Sequence, residues 1–365
     1  MSDGLLIYGA SGYTGALIVD EAVRAGLRPV LAGRTLDKVA PLARKLGLDW
    51  RAFDLADEVA LRQAVRDARV VLHAAGPYSR TGRPMVTACL AEGTHYIDIC
   101  GEIAVLEALS MRDGEARSKG VMLLAGAGFD VVPSDCLIAH LKMRLPSAVE
   151  VRLCIGGMPT LSRGTARTLV ESIGHGTVIR RDGHLVELHQ PPRGLCDFGN
   201  GMRPVIGISL GDVVTGWRSA QIPNIGVFFE SSPAVEQSTA APWVLRRLLS
   251  TRIGQWYLNR LIDKQPIGPT AEERSSLTTT LVGEAVDEAG NRVSARIVTP
   301  ESYSLTALTA VEIARRALAG DVGSGFHTPA TIYGPDLITA IPGVVREDLM
   351  QPAIDAPFIR LKGAS

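Results

Sequence analysis

A doubly wound parallel α/β sheet, followed by a second α/β domain with a mixed or antiparallel sheet, is the architecture predicted for this 365-residue sequence. Three observations predict it. Residues 1–145 alternate short apolar runs with amphipathic stretches of about 10–15 residues, the pattern of repeated β-α-β units. A glycine-rich loop joins the first run to the first amphipathic stretch, and after Pro146 the alternation gives way to hairpin-like pairs.

Strands are predicted at Leu5–Tyr8, Arg28–Ala32, Asp49–Phe53, Val70–Ala74, Thr94–Ile99 and Val121–Ala125. Between and after them, Thr14–Arg24, Leu36–Lys45, Val59–Arg66, Arg83–Ala91, Ala104–Ser118 and Pro133–Arg144 carry apolar residues at helical spacing. Thr35 and Asp57 stand where a helix N-cap accepts amide hydrogens, and Gly26, Gly47, Gly93 and Gly120 where a helix end turns left-handed. Six strands with these punctuation residues fit one continuous winding.

Beyond Pro146, Val149–Ile155 reads as a strand, Gly156–Gly164 as turns and Thr165–Ile173 as a helix. Leu277–Asp287 and Arg292–Val298 flank the turn Glu288-Ala289-Gly290-Asn291 and form a predicted hairpin. Ser304–Leu318 is a helix by periodicity, and Gly320–Gly343 is rich in Gly, Pro and Thr. The predicted organisation is therefore a domain over 1–145, a substrate and dimerisation domain over 146–318, and a C-terminal segment, 319–365, packing back on the first domain.

Composition narrows the partners. With 46% hydrophobic and 21% charged residues the chain resembles an ordinary soluble globular protein. Lys plus Arg equals Asp plus Glu, 38 against 38, so no global positive field exists to hold nucleic acid. Cys89, Cys100, Cys136, Cys154 and Cys196 are odd in number, widely spaced and without a CxxC pair, the pattern of reduced thiols and neither a disulfide frame nor a metal site. The first apolar run leads straight into the glycine loop, leaving no room for a signal peptide, and no apolar stretch approaches the roughly 18–20 residues of a membrane-spanning helix. A cytoplasmic location is expected.

The loop Gly9-Ala10-Ser11-Gly12-Tyr13-Thr14-Gly15 is a GxxGxxG between a predicted strand and a predicted helix. Glycines there allow a tight turn, close approach of a diphosphate and close helix-strand packing, while the helix N-terminus faces the phosphates. With that context, the first domain reads as a Rossmann domain. After the second strand the sequence is Ala32-Gly33-Arg34-Thr35. An acidic residue there would hold the ribose 2′-hydroxyl of NAD, whereas Arg34 offers a planar donor fork to a 2′-phosphate, favouring NADP(H). The alternative for Arg34 is a solvated surface cation. Asp54, after the third strand, is a candidate partner for the adenine edge, or a simple helix-entry acid.

Three further loops follow predicted strand ends: His73-Ala74-Ala75-Gly76-Pro77-Tyr78, His95-Tyr96-Ile97-Asp98-Ile99-Cys100-Gly101-Glu102 and Gly128-Phe129-Asp130-Val131-Val132-Pro133-Ser134-Asp135. In this order behind GxxGxxG and AGR, the series resembles the saccharopine dehydrogenase-like oxidoreductases, which include saccharopine reductases and trans-acting enoyl reductases. Phe326-His327-Thr328-Pro329-Ala330-Thr331 resembles that family's closing segment. The resemblance implies an NADP(H)-binding domain, an α/β substrate domain inserted before the C-terminal segment, and a homodimer. Residues 175–275 carry no resemblance specific enough to transfer a substrate.

In doubly wound sheets ligands lie beyond the carboxyl ends of the strands, so these loops are expected to converge on the nicotinamide. Ala75, Gly76 and Pro77 are candidates for backbone approach to the nicotinamide ribose, the alternative being a plain turn. Tyr78 is a candidate to orient the ring or donate a proton, the alternative being a buried tyrosine with a satisfied hydroxyl. Glu102 and Asp130 are the leading proton donors, each just after a strand end beside glycine. Against these stand a dipole-favoured helix acid for Glu102, and for Asp130, Ser134 and Asp135 the capping of the helix near Pro133. Cys100, His73 and His95 read as core residues. No Tyr is followed four residues later by Lys, and neither GxSxG nor HExxH occurs, which counts against short-chain ketone reduction, serine hydrolysis and zinc proteolysis.

The expected function is NADP(H)-dependent hydride transfer to or from a C=N or C=C bond of a small or lipid-like substrate. Arg163 and Arg167 are the arginines available for an amino-acid carboxylate. The basic, amphipathic stretch 241–262, with Trp243 and Trp256, favours enoyl reduction of an apolar substrate; it also reads as core, dimer interface or a peripheral membrane contact. From a different class, the alternative is a non-catalytic NADP(H)-sensing protein.

Overall fold

The computed structural model describes residues 4–157, 162–164, 166–167, 176–231 and 251–357. The chain begins β1 (Leu5–Tyr8), α1 (Tyr13–Arg24), β2 (Val30–Gly33), α2 (Leu36–Leu46), β3 (Trp50–Ala52), α3 (Glu58–Arg66), β4 (Val70–His73), α4 (Tyr78–Glu92), β5 (His95–Asp98), α5 (Ile103–Ser110), α6 (Asp113–Lys119), β6 (Met122–Leu124) and α7 (Val132–Arg144). It continues through β7 (Glu150–Gly156), β8 (Thr177–Arg181), β9 (His184–Leu188), β10 (Arg193–Asp197), β11 (Met202–Ile208), α8 (Asp212–Ala220), β12 (Asn224–Glu230), α9 (Arg252–Ile262) and α10 (Ala271–Ser276). It closes with β13 (Thr278–Val286), β14 (Arg292–Pro300), α11 (Ser302–Leu318), β15 (Gly325–His327), α12 (Pro329–Tyr333), β16 (Val345–Leu349) and β17 (Ile354–Asp355).

Two compact units divide the chain. The first comprises residues through Cys136 together with Ser302–Ile341, the second Leu137–Glu301 and the chain from Pro342. The first holds a seven-stranded sheet in the order β15-β6-β5-β4-β1-β2-β3, parallel at every pairing. Its central strands LLIY and VVLH are buried throughout, as a parallel sheet covered by helices on both faces requires. The doubly wound fold expected from periodicity is the fold observed.

Several expectations shift. Helix α4 starts at Tyr78, five residues before the predicted Arg83, because a distant carboxylate caps its first turn (below). The predicted single helix Ala104–Ser118 breaks at Met111–Arg112 into α5 and α6. That break lets Asp113 accept the amide of Phe326 at 2.8 Å and so hold β15, a seventh strand not predicted, beside β6. Asp57 caps α3 through Ala60 N–H at 3.0 Å, whereas Thr35 occupies the N-cap of α2 without a side-chain bond. The unit boundaries fall after residues 136, 301 and 341, not at 145 and 318. Helix α11, expected in the second domain, packs beside α1 in the first.

The second unit carries a mixed sheet in the order β16-β14-β13-β7-β12-β11-β10-β17, with β8 and β9 appended at β12. Only β7 and β12 run parallel among its pairs. The predicted hairpin is β13–β14, its turn tied by the Asp287 carboxylate to the Asn291 amide at 2.8 Å. Leu137 and Leu141 pack over Gly283 on one face, and Cys154, Cys196, Val205, Phe228 and Ile354 form an apolar core with β17. Of the predicted helix Thr165–Ile173, residue 165 and residues 168–173 lie outside the described residues. Among the described residues no helix is long and apolar enough to cross a membrane.

Candidate functional site

The glycine loop is dictated by how closely it is pressed between strand ends. Gly9 and Ala10 both donate to the Ala32 carbonyl, at 2.8 and 3.1 Å. Gly9 has φ +91°, and a Cβ there would lie 2.7 Å from the carbonyl carbon of Ala74. A Cβ on Gly15 would come within 2.1 Å of the Gly9 oxygen, so neither position admits a side chain without moving backbone. Helix α1 then opens at Tyr13 behind Gly12, with no side-chain cap and no acidic residue in its first turn. Its positive end is left uncovered, the electrostatic condition for an anionic ligand. Ser11 is exposed and Thr14 half-buried on the same loop, and Tyr13 packs edge-on against Tyr303 with ring centroids 5.1 Å apart.

The turn after β2 lies alongside. A Cβ on Gly33 would sit 2.9 Å from Val39 and 3.9 Å from the Ser11 hydroxyl. Arg34 follows, exposed and without an ion-pair partner among the described residues. Asp54, also exposed, accepts the Ala56 amide at 2.9 Å. Both charges flank the Tyr8 hydroxyl, which donates to the Phe53 carbonyl. Burial pushes that hydroxyl up to about 12, Asp54 adds to the rise and Arg34 opposes it. One cation and one anion thus border the same strand end.

Across β1, the loop after β4 carries Ala75, exposed Gly76 and Pro77, joined by a cis Gly76–Pro77 peptide. The Thr81 hydroxyl donates to the Ala75 carbonyl at 2.6 Å and fixes it. Tyr78 turns inward: its ring is buried and its hydroxyl donates to the His73 carbonyl at 3.0 Å, so the satisfied-tyrosine alternative describes its present state. Glu102 is similarly engaged. Its Oε1 accepts the Tyr78 amide at 2.8 Å and its Oε2 the Ser79 amide at 2.9 Å, capping α4 from a different loop. Neither group presents a spare proton in this arrangement.

Asp130 differs from both. Its carboxylate has no hydrogen-bond partner among the described residues, and the side chain is exposed on one side. On the other it lies against Gly101, where a Cβ would come within 2.8 Å of its own Cβ. Crowding by protein on that side strips water and pushes the carboxyl up to about 6. Its neighbours are engaged with other elements of the loop and of α12. Ser134 donates back to the Val131 carbonyl at 3.0 Å, and Asp135 accepts the Ala330 amide of α12 at 2.8 Å.

A buried polar chain beneath these loops was missed by sequence reasoning. Tyr96 donates to Asp98 Oδ2 at 2.9 Å, and its oxygen lies 3.1 Å from His73 Nδ1. Asp98 Oδ1 accepts the amides of Gly126 at 2.8 Å and Cys100 at 3.0 Å. Burial drives His73 down to about 3, leaving it neutral, and pushes Asp98 up to about 6 against the pull of those amides and Tyr96. His73 Nε2 is buried without a hydrogen-bond partner, so the expectation of a satisfied core histidine holds for one ring nitrogen only. The signal was present. Tyr96 and Asp98, two residues apart, share one face of β5, and His73 is paired in register with Asp98.

The remaining candidates are tied elsewhere. His95 Nδ1 accepts the Met122 amide at 3.1 Å, and Cys100 is buried, its sulfur accepting the Glu102 amide at 3.3 Å. Arg163 donates to the Gln265 carbonyl at 2.7 Å and Arg167 pairs with Asp263. Of the amphipathic stretch, residues 241–250 with Trp243 lie outside the described residues. Within α9, Trp256 and Tyr257 are exposed, and Arg260 lies over the Trp256 ring at 5.3 Å.

The first unit is similar to domains of known proteins. Residues 5–124 match the family model of the saccharopine dehydrogenase NADP binding domain. The human saccharopine dehydrogenase-like oxidoreductase is 28% identical over 214 residues, 52% of this chain and 50% of that protein. A trans-acting enoyl reductase of Mycobacterium bovis is 32% identical over 158 residues, 41% of this chain and 38% of that protein. The chain therefore spans half or less of the length of these relatives. The saccharopine dehydrogenase (L-Glu forming) of Saccharomyces cerevisiae shares the fold, with TM-score 0.62 over 94% of this chain and 99% of that chain at 13% identity. The matched residues 5–124 hold the glycine loop, Arg34 and the first two of the later strand-end loops of the ordered motif series.

Proposed function

We propose that this chain is an NADP(H)-dependent oxidoreductase of the saccharopine dehydrogenase-like kind, moving hydride to or from a C=N or C=C bond. The observation that carries the reading is Asp130. Of the three proton-donor candidates it alone has no hydrogen-bond partner among the described residues, and protein packed against one side of its carboxyl raises it towards neutrality. It stands on a strand-end loop of the same sheet as the diphosphate loop, whose strand order reverses between β4 and β1.

The residues fit the coenzyme. The uncovered N-terminus of α1 and the glycines at 9, 12 and 15 would receive the diphosphate, Arg34 the 2′-phosphate, and the Ala75–Pro77 backbone the nicotinamide ribose. When bound, the reduced coenzyme supplies a hydride to one carbon of the double bond. Asp130 then delivers its proton to the neighbouring carbon of an enoyl group or to the nitrogen of an imine, leaving a carboxylate that reprotonates from solvent. Glu102 holds α4 and the Pro77–Ser79 turn in place, and Tyr78 anchors that turn to the end of β4. The basic, amphipathic sequence 241–262 favours an apolar, enoyl-bearing substrate over a small imine.

The test follows NADPH absorbance with a panel of cyclic imines and enoyl thioesters. Turnover of an enoyl thioester supports the favoured substrate class; nucleotide binding with no compound reduced supports the sensing alternative. Arg34→Ala is expected to weaken NADPH by about tenfold to a hundredfold in calorimetry, the scale of a lost charge-assisted hydrogen-bond pair, and to leave NADH affinity unchanged. Equal loss for both coenzymes removes the 2′-phosphate role.

A further inference from the structure

The loop that carries Asp130 is held by hydroxyls from a helix 177 residues further along the chain. Helix α11 is largely apolar on its buried face, with Leu305, Ala310, Val311, Ile313 and Ala314. Thr306 and Thr309 interrupt that face, and a buried hydroxyl is unfavourable unless its bonds are made. Thr306 donates back to the Ser302 carbonyl at 2.8 Å, which commits its proton to the helix and aims a lone pair outward. That lone pair accepts the Phe129 amide at 3.0 Å. Thr309 binds the other side of the loop, donating to the Ala127 carbonyl at 2.8 Å.

The residue between these anchors is closely packed on its α-carbon. A Cβ on Gly128 would lie 3.0 Å from Thr306 Cγ2 and 3.2 Å from Ile99 Cβ. Asp130 comes immediately after the anchored Phe129, with its carboxylate resting on Gly101. The same helix touches the diphosphate loop, since Tyr303, one turn before Thr306, packs against Tyr13. One helix therefore contacts both the glycine loop, read above as the diphosphate site, and the loop that carries the acid.

We propose that Thr306, supported by Thr309, is a positioning residue that sets the place of the Asp130 carboxylate relative to the bound coenzyme. The inference rests on the reading of Asp130 as proton donor. Misplacement of a reacting group by about 1 Å costs on the order of a hundredfold in rate, and without the Thr306 hydroxyl the Phe129 amide must find another acceptor by shifting.

The test compares Thr306→Val, which keeps the shape and removes the hydroxyl, with Thr306→Ser, which keeps the hydroxyl, using whichever panel compound the parent reduces. Thr306→Val is expected to lower kcat by about tenfold to a hundredfold, with KM and NADPH affinity within about twofold, and Thr306→Ser to recover most of the loss. Parental kcat in Thr306→Val, or equal losses in both variants, overturns the proposal. If Thr306→Val does not fold, Thr309→Val takes its place, with the same kcat-specific loss expected and parental kcat again overturning it. Asp130→Asn separates the two levels: parental turnover in that variant removes the proton-donor reading and this inference with it, whereas a large loss there beside a parental Thr306→Val removes this inference alone.

Discussion

Asp130→Asn is expected to lower the rate of reduction by about 10²–10⁴-fold, the usual contribution of a positioned general acid, while NADPH affinity stays within about twofold. The variant keeps size and polarity on Gly101 and removes only the exchangeable proton. The pH dependence has a definite sign. Reduction needs the protonated carboxyl, and burial places its midpoint at about 6. The reductive kcat should be flat below that pH and fall about tenfold per unit above it. Oxidation needs the carboxylate and should rise through the same midpoint to a plateau. Asp130→Asn should abolish both limbs. Glu102→Gln should behave differently, because its carboxylate caps two amides of α4. A carboxamide retains one acceptor for them, so a stability loss of about 1 kcal/mol is expected. Parental reduction by Asp130→Asn together with an inactive, stably folded Glu102→Gln would reverse the assignment.

Asp98→Ala is expected to destabilise the fold by about 3–5 kcal/mol in denaturant titration. It removes the acceptor of two buried amides and of the Tyr96 hydroxyl, and each orphaned buried group costs about 1–3 kcal/mol without full additivity. Asp98→Asn keeps an acceptor for the amides and isolates the charge. The folded carboxyl lies at about 6, above its ordinary 3.8, so ionisation is harder in the folded chain than in the unfolded one. Its favourable contribution is complete below 3.8, is lost as pH rises through about 6, and is constant above. The stability of Asp98→Asn relative to the parent should therefore improve by roughly 2–3 kcal/mol between pH 4 and pH 7. The comparison with the parent cancels the carboxyls of Glu92, Asp113 and Asp287, which ion pairs and hydrogen bonds hold below their ordinary range and which act with the opposite sign. A relative stability that does not change with pH would contradict a buried, raised Asp98.

The winding of the first sheet is legible locally. GxxGxxG announces itself because the constraint on Gly9 and Gly15 is backbone against backbone within a strand, a turn and a helix. Arg34 is legible by its distance from that loop. The alternation of Leu5–Tyr8 with Thr14–Arg24, repeated, encodes the winding because burial on two faces leaves its periodicity in the chain. By itself the sequence determined a parallel sheet of the nucleotide-binding kind, the close-packed glycine loop after its first strand and a second mixed sheet. Tertiary structure decided which acid is left open. Glu102 is consumed by amides 23 and 24 residues away and Tyr78 by the end of β4, whereas Asp130 has no hydrogen-bond partner among the described residues. It also decided that α11 and β15 return to the first unit, and that two threonines of α11 hold the Asp130 loop. The physical reason is range: helical or strand periodicity is satisfied within a dozen neighbouring residues, whereas a carboxylate or hydroxyl binds whatever donor the folded chain brings to it, and that donor leaves no mark in the local sequence.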